Sequence, residues 1–151
     1  MENVKKYMVR NLNSVCEDDT LDSAIRYMHK YEMTILPVVD SENRFLGTIY
    51  SRNILKNILP EEYGYLESHR LLYDVNQAAE NLKEIKGKRV KDYMSTNTIA
   101  VRETDTMDNI ADVMLNNKES YLYVINEADK LRGYITRADL LYYLLEVGKE
   151  K

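Results

Sequence analysis

Val90–Met94 reads V-K-D-Y-M, and the chain opens with nearly the same pattern, V-K-K-Y-M, at Val4–Met8. The two stretches lie 86 residues apart. Carried forward without a gap, this offset aligns Val4–Leu59 with Val90–Leu145 and gives 17 identities in 56 positions. Chance alone gives roughly 6% identity for such a composition. The sequence is therefore an internal duplication, and its fold follows from one unit that occurs twice.

Each copy predicts the order strand, helix, strand, strand, helix. Thr20 and Thr106 are suitable N-caps, and the residues after them carry apolar side chains at i, i+3, i+4 and i+7, as in an amphipathic helix. Polar loops separate the last two strands, as in a hairpin. The predicted strands are Leu12–Val15, Thr34–Val39 and Phe45–Tyr50 in the first copy, and Thr98–Val101, Ser120–Ile125 and Leu131–Thr136 in the second.

These elements predict a mixed α/β (α+β) fold with three parts. Residues 1–59 form the first copy, residues 60–87 connect the copies, and residues 88–148 form the second copy. A unit of about 56 residues buries little surface alone. We therefore expect the copies to pack with pseudo-two-fold symmetry around one shared core.

Pro60 ends the preceding helix, and the connecting segment then predicts a further helix that ends at Gly87. Its apolar residues form a loose stripe, which favours a crossover or a dimerisation element over a ligand lid. The pair His69 and Arg70 is interpreted as part of a solvated helix face. The stripe comprises Leu66, Leu71, Leu72, Val75, Ala78, Ala79, Leu82 and Ile85.

Composition excludes several classes of function. With 21 Lys and Arg against 25 Asp and Glu, the net charge is −4, which disfavours non-specific binding to nucleic acid. No apolar run reaches the length of a membrane span, and the first residues lack the apolar core of a signal peptide, so we expect a cytoplasmic protein without a membrane partner. One cysteine and two histidines leave no disulfide and no zinc site.

No catalytic motif is present. The sequence lacks a P-loop, a Rossmann glycine pattern, G-x-S-x-G and H-E-x-x-H, so no enzyme, catalytic residue or metal site is predicted. Cys16 is interpreted as a small buried hydrophobic residue, and His29 has no evident catalytic partner. The 13 tyrosines are interpreted as amphipathic cover for the core edges, with base stacking as the alternative.

The repeated unit resembles the CBS domain, and the chain resembles a CBS domain pair, or Bateman module. The motifs that carry the resemblance are V-K-D-Y-M, the T-x-x-x-A/I-x-x-M helix, L-P-V-V-D at Leu36–Asp40 and G-x-I-T-x-x-D-L-L at Gly133–Leu141. The resemblance implies a stand-alone regulatory module, not a catalyst, that binds an adenine-containing ligand and signals it to a partner protein. It names AMP, ADP or ATP, with cyclic di-AMP or S-adenosylmethionine as further candidates, and it implies a homodimer.

The second copy carries the better candidate site. A helix N-terminus attracts phosphate, and there Thr136 can donate a hydrogen bond while Arg137 neutralises charge. Asp139 can accept hydrogen bonds from ribose hydroxyls. Gly133 permits a close approach of backbone. By resemblance, the base lies against Thr98, Ile99, Ala100, Tyr121, Leu122 and Tyr123.

The same T-x-x-D run also predicts a capping box, in which Thr136 and Asp139 satisfy the helix N–H groups. The resemblance favours ligand binding, with Asp139 capping the helix when no ligand is bound. The first copy departs from the pattern, because Tyr50 replaces the threonine and Asn53 the aspartate. Its weaker candidate site comprises Leu12, Asn13, Ser14, Ile35, Leu36, Pro37, Tyr50, Ser51, Arg52 and Asn53.

Three functions remain open at this point. The leading hypothesis is a CBS-pair module that binds an adenine nucleotide and regulates a partner. The alternative is a ligand-free scaffold for protein interaction, which the altered Tyr50 and Asn53 favour. A nucleotide hydrolase is the third, and no residue supports it.

Overall fold

The computed structural model describes residues 3–10, 12–59 and 68–149, with side chains described for all of these except residues 68–74. The chain divides into two compact units. Unit 1 comprises Met1–Asn13, Ser41–Phe45 and Asn97–Lys151, and unit 2 comprises Ser14–Asp40 and Leu46–Thr96. The strands are β1 (Val15–Cys16), β2 (Ile35–Val39), β3 (Phe45–Tyr50), β4 (Ala100–Arg102), β5 (Tyr121–Ile125) and β6 (Leu131–Thr136). The helices are α1 (Leu21–Lys30), α2 (Ser51–Ile58), α3 (Ser68–Ile85), α4 (Met107–Asn117) and α5 (Arg137–Lys149).

Each copy builds a three-stranded sheet, in the order β1-β2-β3 and β4-β5-β6. The first two strands of each sheet are parallel because a helix connects them, and β5 and β6 are antiparallel because a short turn connects them. The predicted mixed fold is confirmed. The first strands are shorter or later than predicted: in β1 only Val15 and Cys16 pair with β2, and β4 begins at Ala100.

The predicted helix caps are present. The hydroxyl of Thr20 accepts a hydrogen bond from the Ser23 backbone N–H at 3.1 Å, and Thr106 caps Asn109 in the same way at 3.3 Å. These bonds satisfy backbone donors that a helix leaves unpaired at its first turn. The apolar stripes then face inward: Leu21, Ala24 and Met28 are buried in α1, and Met107, Ile110 and Met114 in α4.

The repeated opening motif folds as a short 3-10 turn whose valine is fully buried, at Val4 and at Val90. The Val4 backbone N–H donates to the Asp105 carbonyl at 2.9 Å in unit 1, and Val90 donates to Asp19 at 2.8 Å in unit 2. Each unit therefore contains the opening segment of the opposite copy. The duplication in the sequence and the compact unit of the structure are consequently different divisions of the chain.

Gly133 and Gly47 have no side chain and thereby leave room for the backbone of these opening segments. A Cβ at Gly133 would lie 2.5 Å from the Val9 carbonyl oxygen, and one at Gly47 would collide with the carbonyl oxygen of Ser95. Val9 forms two backbone hydrogen bonds with Tyr134, at 2.7 and 3.0 Å. The predicted close approach at Gly133 is therefore made by the chain's own backbone.

The expectation of one shared core is wrong for the described residues. Buried apolar side chains form one cluster in unit 1, around Leu122, Val124 and Ile135, and another in unit 2, around Leu36 and Ile49. Each sheet buries one face under its own two helices, with the opening valine filling the same cluster. Two units of this size obtain separate cores because each also recruits the opening segment of the opposite copy.

The connecting segment contains helix α3, as predicted. Ala78 is buried, and Leu82 and Ile85 pack against the core of unit 2, whereas Val75 is exposed. Ala79 is exposed as well, so Val75 and Ala79 are wrongly assigned to the predicted stripe. The predicted stripe members Leu66, Leu71 and Leu72, and the pair His69 and Arg70, lie outside the residues whose side chains are described.

Candidate nucleotide-binding site

The first turn of α5 holds Thr136 and Asp139 in a reciprocal arrangement. The Asp139 carboxylate accepts hydrogen bonds from the Thr136 backbone N–H at 2.9 Å and from the Thr136 hydroxyl at 3.0 Å. The Asp139 backbone N–H donates to the Thr136 hydroxyl oxygen at 3.3 Å. The predicted capping box is confirmed. A hydroxyl, a carboxylate and a helix N-terminus therefore lie together at one half-buried position in unit 1.

Strand pairing brings the other predicted segments of this site beside the cap. Tyr121 is in register with Thr136, and Ala100 is in register with Tyr123. Leu122 points to the opposite face, where it is fully buried in the core, and Ile99 packs against the same core. Leu122 can therefore offer a ligand only its backbone groups.

An aromatic face covers the sheet next to Thr136. The Tyr134 ring centroid lies 5.5 Å from that of Tyr121 and 6.5 Å from that of Tyr123. Phe45 extends the group, with its centroid 5.3 Å from Tyr123. Side chains two residues apart on a strand share a face, so Tyr134 lies on the same side of β6 as Thr136. Tyr123 is 2% exposed, so within this group Tyr121 and Tyr134, which are half-buried, provide the flat apolar surface of the kind that an adenine base requires.

Tyr134 lies beside the candidate site and was not among the predicted site residues, although its alternation with Thr136 in a predicted strand places both on one face. Burial raises the pKa of the Tyr134 phenol above its usual value, and the charges of Tyr121 and Asp139 raise it further. The phenol therefore stays protonated at neutral pH and retains an O–H donor beside the carboxylate.

Arg137 makes contacts that its predicted role did not include. Its guanidinium donates to the carbonyl of Lys118 at 3.1 Å and to that of Glu119 at 3.3 Å. Lys118 follows the last turn of α4 in the left-handed conformation, with φ 55°. Arg137 therefore satisfies carbonyls at the end of α4, and it must release them before it can contact a phosphate.

The corresponding position in unit 2 is built differently. No side chain caps α2, whose N-cap position is Tyr50, and the Arg52 guanidinium lies 4.3 Å from the centroid of the Tyr50 ring. The Ser51 N–H donates to the backbone of Thr34 at 2.9 Å. The cation is thereby held on an aromatic face, with no carboxylate at position 53 to accept from a ribose.

The remaining residues of the weaker site differ in burial and in the unit to which they belong. Leu36 is fully buried in the core of unit 2, so its side chain is not available to a ligand. Leu12 and Asn13 belong to unit 1, whereas Ser14, Ile35 and Pro37 belong to unit 2.

Cys16 is exposed, so its interpretation as a buried hydrophobic residue is wrong. Strand alternation turns Val15 inward and Cys16 outward. Partial burial is the largest cause that raises the pKa of the Cys16 thiol, and the neighbouring carboxylates of Asp19 and Asp18 raise it further. The thiol therefore stays protonated at neutral pH, unlike a nucleophilic cysteine. Within the described ranges, no three or more His, Cys, Asp or Glu side chains are grouped so that they could hold a metal ion.

Comparison with known proteins gives the family. The CBS domain family matches twice, at residues 4–60 and 90–146, so the chain belongs to the CBS domain family. The chain is 26% identical over 134 residues to inosine-5'-monophosphate dehydrogenase of Methanocaldococcus jannaschii, which covers 89% of the chain but only 22% of that enzyme. It is 28% identical over 142 residues to protein MJ1225 of the same organism, which covers 94% of the chain and 47% of MJ1225.

Solved structures agree with this assignment. The CBS-pair protein CBSX2 of Arabidopsis thaliana superposes with a TM-score of 0.76 at 21% identity, covering 98% of this chain and 97% of CBSX2. MJ1225 superposes with a TM-score of 0.73 at 27% identity, covering 95% of this chain and 48% of the MJ1225 chain. Among the described residues, no helix combines the length and the apolar composition that crossing a membrane requires.

Proposed function

We propose that unit 1 binds an adenine-containing nucleotide, AMP, ADP or ATP, at the first turn of α5, and that the module reports this ligand to a partner protein. Cyclic di-AMP and S-adenosylmethionine belong to the same chemical class. In this proposal the module is regulatory and takes no part in catalysis. The match to inosine-5'-monophosphate dehydrogenase, which covers 22% of that enzyme, gives no reason to expect its activity here.

The reciprocal cap of Thr136 and Asp139 is the observation that carries the proposal. A hydroxyl, a carboxylate and a helix N-terminus bond each other in this cap. Each of these groups can exchange its hydrogen bond within the cap for one with a nucleotide. The phosphate takes the Thr136 hydroxyl and the free N–H groups, and the ribose hydroxyls donate to Asp139. The cap bonds that break when the ligand binds oppose binding, and the new bonds to the phosphate and the ribose replace them.

The aromatic face beside the cap supplies the base-binding surface. Tyr121 and Tyr134 lie on the side of the sheet where Thr136 emerges, and β4 pairs with the other edge of β5, two strands away from β6. A crystal structure of CBSX2 in complex with AMP, of a chain 23% identical to this one with a TM-score of 0.70, supports an adenine ligand for this fold. Stacking on an aromatic ring accepts any base, so backbone groups must select adenine.

The weaker site of the first copy is proposed to bind little or no nucleotide. Asn53 replaces the carboxylate, and Arg52 is held on the Tyr50 ring. Neutral hydrogen bonds to ribose are roughly half as strong as charge-assisted ones. Ligand occupancy is therefore expected to be one nucleotide per chain.

We further propose that the protein is a homodimer and that it is located in the cytoplasm. Leu141, Leu144 and Leu145 of α5 are exposed apolar side chains, and so is Leu115 of α4. Exposed apolar side chains grouped along one helix, as on α5, favour an interaction site. Ligand that binds one dimer arrangement better than another shifts the population toward it, and this shift is the signal the partner reads.

Titration calorimetry with AMP, ADP, ATP, cyclic di-AMP and S-adenosylmethionine, and with GTP as control, tests the proposal. One adenine ligand is expected to bind with a stoichiometry of one per chain, and Asp139→Ala is expected to weaken it by about 10- to 100-fold, because a hydrogen bond to a charged group contributes about 1.5–3 kcal/mol. Asn53→Ala, at the same position of the first copy, is the matched control and is expected to bind as the unaltered protein does. Equal affinity in Asp139→Ala and Asn53→Ala would contradict the site.

A ligand-free scaffold is the second candidate, and one observation favours it. The Arg137 guanidinium and the cap are already satisfied by protein groups. In that case none of the nucleotides produces heat in the titration or raises the melting temperature, whereas binding to the native state would raise it by mass action.

A further inference from the structure

Helix α3 is held beside α1 and α2 in unit 2 by hydrogen bonds to each of them. The Asp22 backbone N–H, in the first turn of α1, donates to the Lys86 carbonyl just after α3, at 2.9 Å. The Asn81 side-chain N–H of α3 donates to the Ile58 carbonyl at the end of α2, at 3.0 Å. Leu82 of α3 packs against the core. The three helices therefore have fixed positions, and the space between them is a preformed groove.

One section of this groove is lined mostly by apolar side chains. Its volume of about 330 Å³ lies within the range of roughly 300–1,000 Å³ that is typical of small-molecule sites. Methionine side chains are unbranched and polarizable, so Met28 and Met33 can follow the shape of a ligand. Leu55 is 49% exposed, so this wall of the groove is open to solvent. The apolar section is lined by Ile25, Met28, Met33, Ile54, Leu55 and Leu82.

A second cavity of about 510 Å³ continues the groove toward the start of α1. The two cavities share three lining residues, among them Ile25 and Leu82, so they form one continuous groove. The second cavity also carries Asp22, Arg26 and Lys86. Arg26 and Asp22 neutralise each other in an ion pair, whereas Lys86 forms no ion pair with any of the described residues. This end of the groove therefore carries one ammonium group that no carboxylate neutralises.

The groove depends on the connecting segment and not on the repeated unit. Helix α3 lies between the two copies in sequence, and it belongs to unit 2. The 86-residue offset pairs Met28 with Met114, but it pairs Met33 with Glu119. Within the described residues, unit 1 has no equivalent of α3 to form a third wall. The duplication therefore gives this groove to one unit only.

We propose that the groove of unit 2 binds one molecule of an aliphatic carboxylate, a free fatty acid. Its alkyl chain occupies the apolar section, and its carboxylate lies beside the ammonium group of Lys86. A helix of a partner protein, about 10–12 Å across with its side chains, is too wide to lie between α2 and α3, which are joined by the Asn81 bond. The groove lies in unit 2 and the proposed nucleotide site in unit 1, so the two sites can be tested separately.

Titration calorimetry with octanoate and decanoate, each below its micelle concentration, tests whether the chain is buried. Each buried methylene raises the affinity by about fourfold, so decanoate is expected to bind roughly tenfold more tightly than octanoate. The expected stoichiometry is one molecule per chain. No binding of decanoate, or equal affinity for the two carboxylates, would overturn the proposal.

Two substitutions at one position of the repeat test where the alkyl chain lies. Leu55→Glu places a carboxylate in the apolar section, and Leu141→Glu makes the same change at the equivalent position of the second copy. Both leucines are exposed, so neither change disturbs a core. Leu55→Glu is expected to weaken decanoate binding at least about 30-fold, because a charge beside the alkyl chain must lose its water. Leu141→Glu is expected to bind as the unaltered protein does, and equal losses in both variants would overturn the site.

A second matched pair tests the position of the carboxylate. Lys86→Glu reverses the charge at the end of the groove and is expected to weaken decanoate binding about tenfold, because an attraction becomes a repulsion. Lys83→Glu makes the same change in α3, at a residue that does not line either cavity, and is expected to stay within about twofold. Both lysines are exposed. Equal affinity in these two variants would show that Lys86 does not bind the carboxylate.

Methyl signals of the protein labelled with ¹³C at its methionine methyl groups locate the ligand without substitution. Decanoate is expected to shift the signals of Met28 and Met33, while Met114, which occupies the position of Met28 in the other copy, keeps its signal. An unchanged Met28 signal at saturating decanoate, or a shift of Met114 as large as that of Met28, would overturn the proposal.

Discussion

Gly133→Ala tests how the opening segment is held on unit 1. The added Cβ would lie 2.5 Å from the Val9 carbonyl oxygen and 3.4 Å from its carbonyl carbon, whereas ordinary contacts lie at 3.4–4 Å. Both neighbours are backbone atoms, so the segment must move by about 1 Å. This movement breaks the two hydrogen bonds between Val9 and Tyr134 and withdraws the buried side chain of Met8.

The cost follows from these contacts. Two backbone hydrogen bonds contribute about 0.5–1.5 kcal/mol each, and partial exposure of Met8 removes about 1 kcal/mol of a full burial worth about 1.5–3 kcal/mol. Alanine also restricts the unfolded chain more than glycine, which offsets about 0.4–1 kcal/mol. The free energy of unfolding is therefore expected to fall by about 2 kcal/mol.

Urea unfolding followed by far-ultraviolet circular dichroism measures this change, with the protein concentration held constant because a dimer makes the midpoint concentration-dependent. A loss of about 2 kcal/mol lowers the urea midpoint by about 1 M for a typical slope. Gly87→Ala is the control, since no heavy atom lies within 4 Å of its Cβ position. If Gly133→Ala and Gly87→Ala unfold at the same urea concentration, the opening segment is not held as described.

Three further changes test other contacts by the same unfolding measurement. Asp139→Ala removes the reciprocal cap and is expected to cost about 1 kcal/mol, whereas Asn53→Ala, which caps nothing, stays within about 0.5 kcal/mol of the unaltered protein. Lys118→Gly is expected to gain about 0.5–1 kcal/mol, because φ 55° strains an L-residue and the entropy of glycine offsets part of the gain; a loss would show that the lysine side chain contributes more than the strain. Burial raises the pKa of Tyr134 in the folded state above the unfolded value of about 10. The contribution of the protonated phenol to the free energy of unfolding is therefore complete below pH 10, and it is lost as pH rises through the folded pKa. Tyr134→Phe should therefore show a smaller fall in the urea midpoint between pH 9 and 11, and an equal fall would contradict the assignment.

Local sequence patterns predicted the repeated elements well. The strands β3 and β6 begin and end at the predicted residues, and Thr20 and Thr106 cap helices as predicted. Alternation of apolar side chains, hydrophilic turns and capping residues all act within a few residues, so they are visible in the sequence.

Long-range contacts were less accessible. The exchange of the opening segments depends on backbone hydrogen bonds, such as those between Val9 and Tyr134. Backbone contacts cannot be recognised from residue types, except where they require a glycine. Gly47 and Gly133 are the two glycines that such contacts require. The length of β1 was mispredicted for the same reason, because it is set by its parallel partner β2 and not by its own residues.

The cap formed by Thr136 and Asp139 was predicted correctly, and the role of these residues in ligand binding stays a prediction. The duplication and the T-x-x-D run were sufficient to find Thr136 and Asp139, and the departure of Tyr50 and Asn53 indicated the asymmetry between the copies. The sequence could not show that Arg137 bonds the carbonyls at the end of α4, because that contact depends on where α4 ends relative to α5. Tyr134 was missed although its alternation with Thr136 places both on one face of β6, and only its ring contacts with Tyr121 and Tyr123 depend on the register of the sheet.

The central claim is that one nucleotide binds at the first turn of α5, and amide chemical shifts of the ¹⁵N-labelled protein test it most directly. With increasing concentrations of the adenine nucleotide that binds, the account predicts that the largest shifts occur at Thr136, Asp139, Tyr121 and Ala100, while Ser51 and Asn53 in the first copy shift little. Shifts confined to Ser51 and Asn53, or no shift at any of these amides at millimolar nucleotide, would contradict the account.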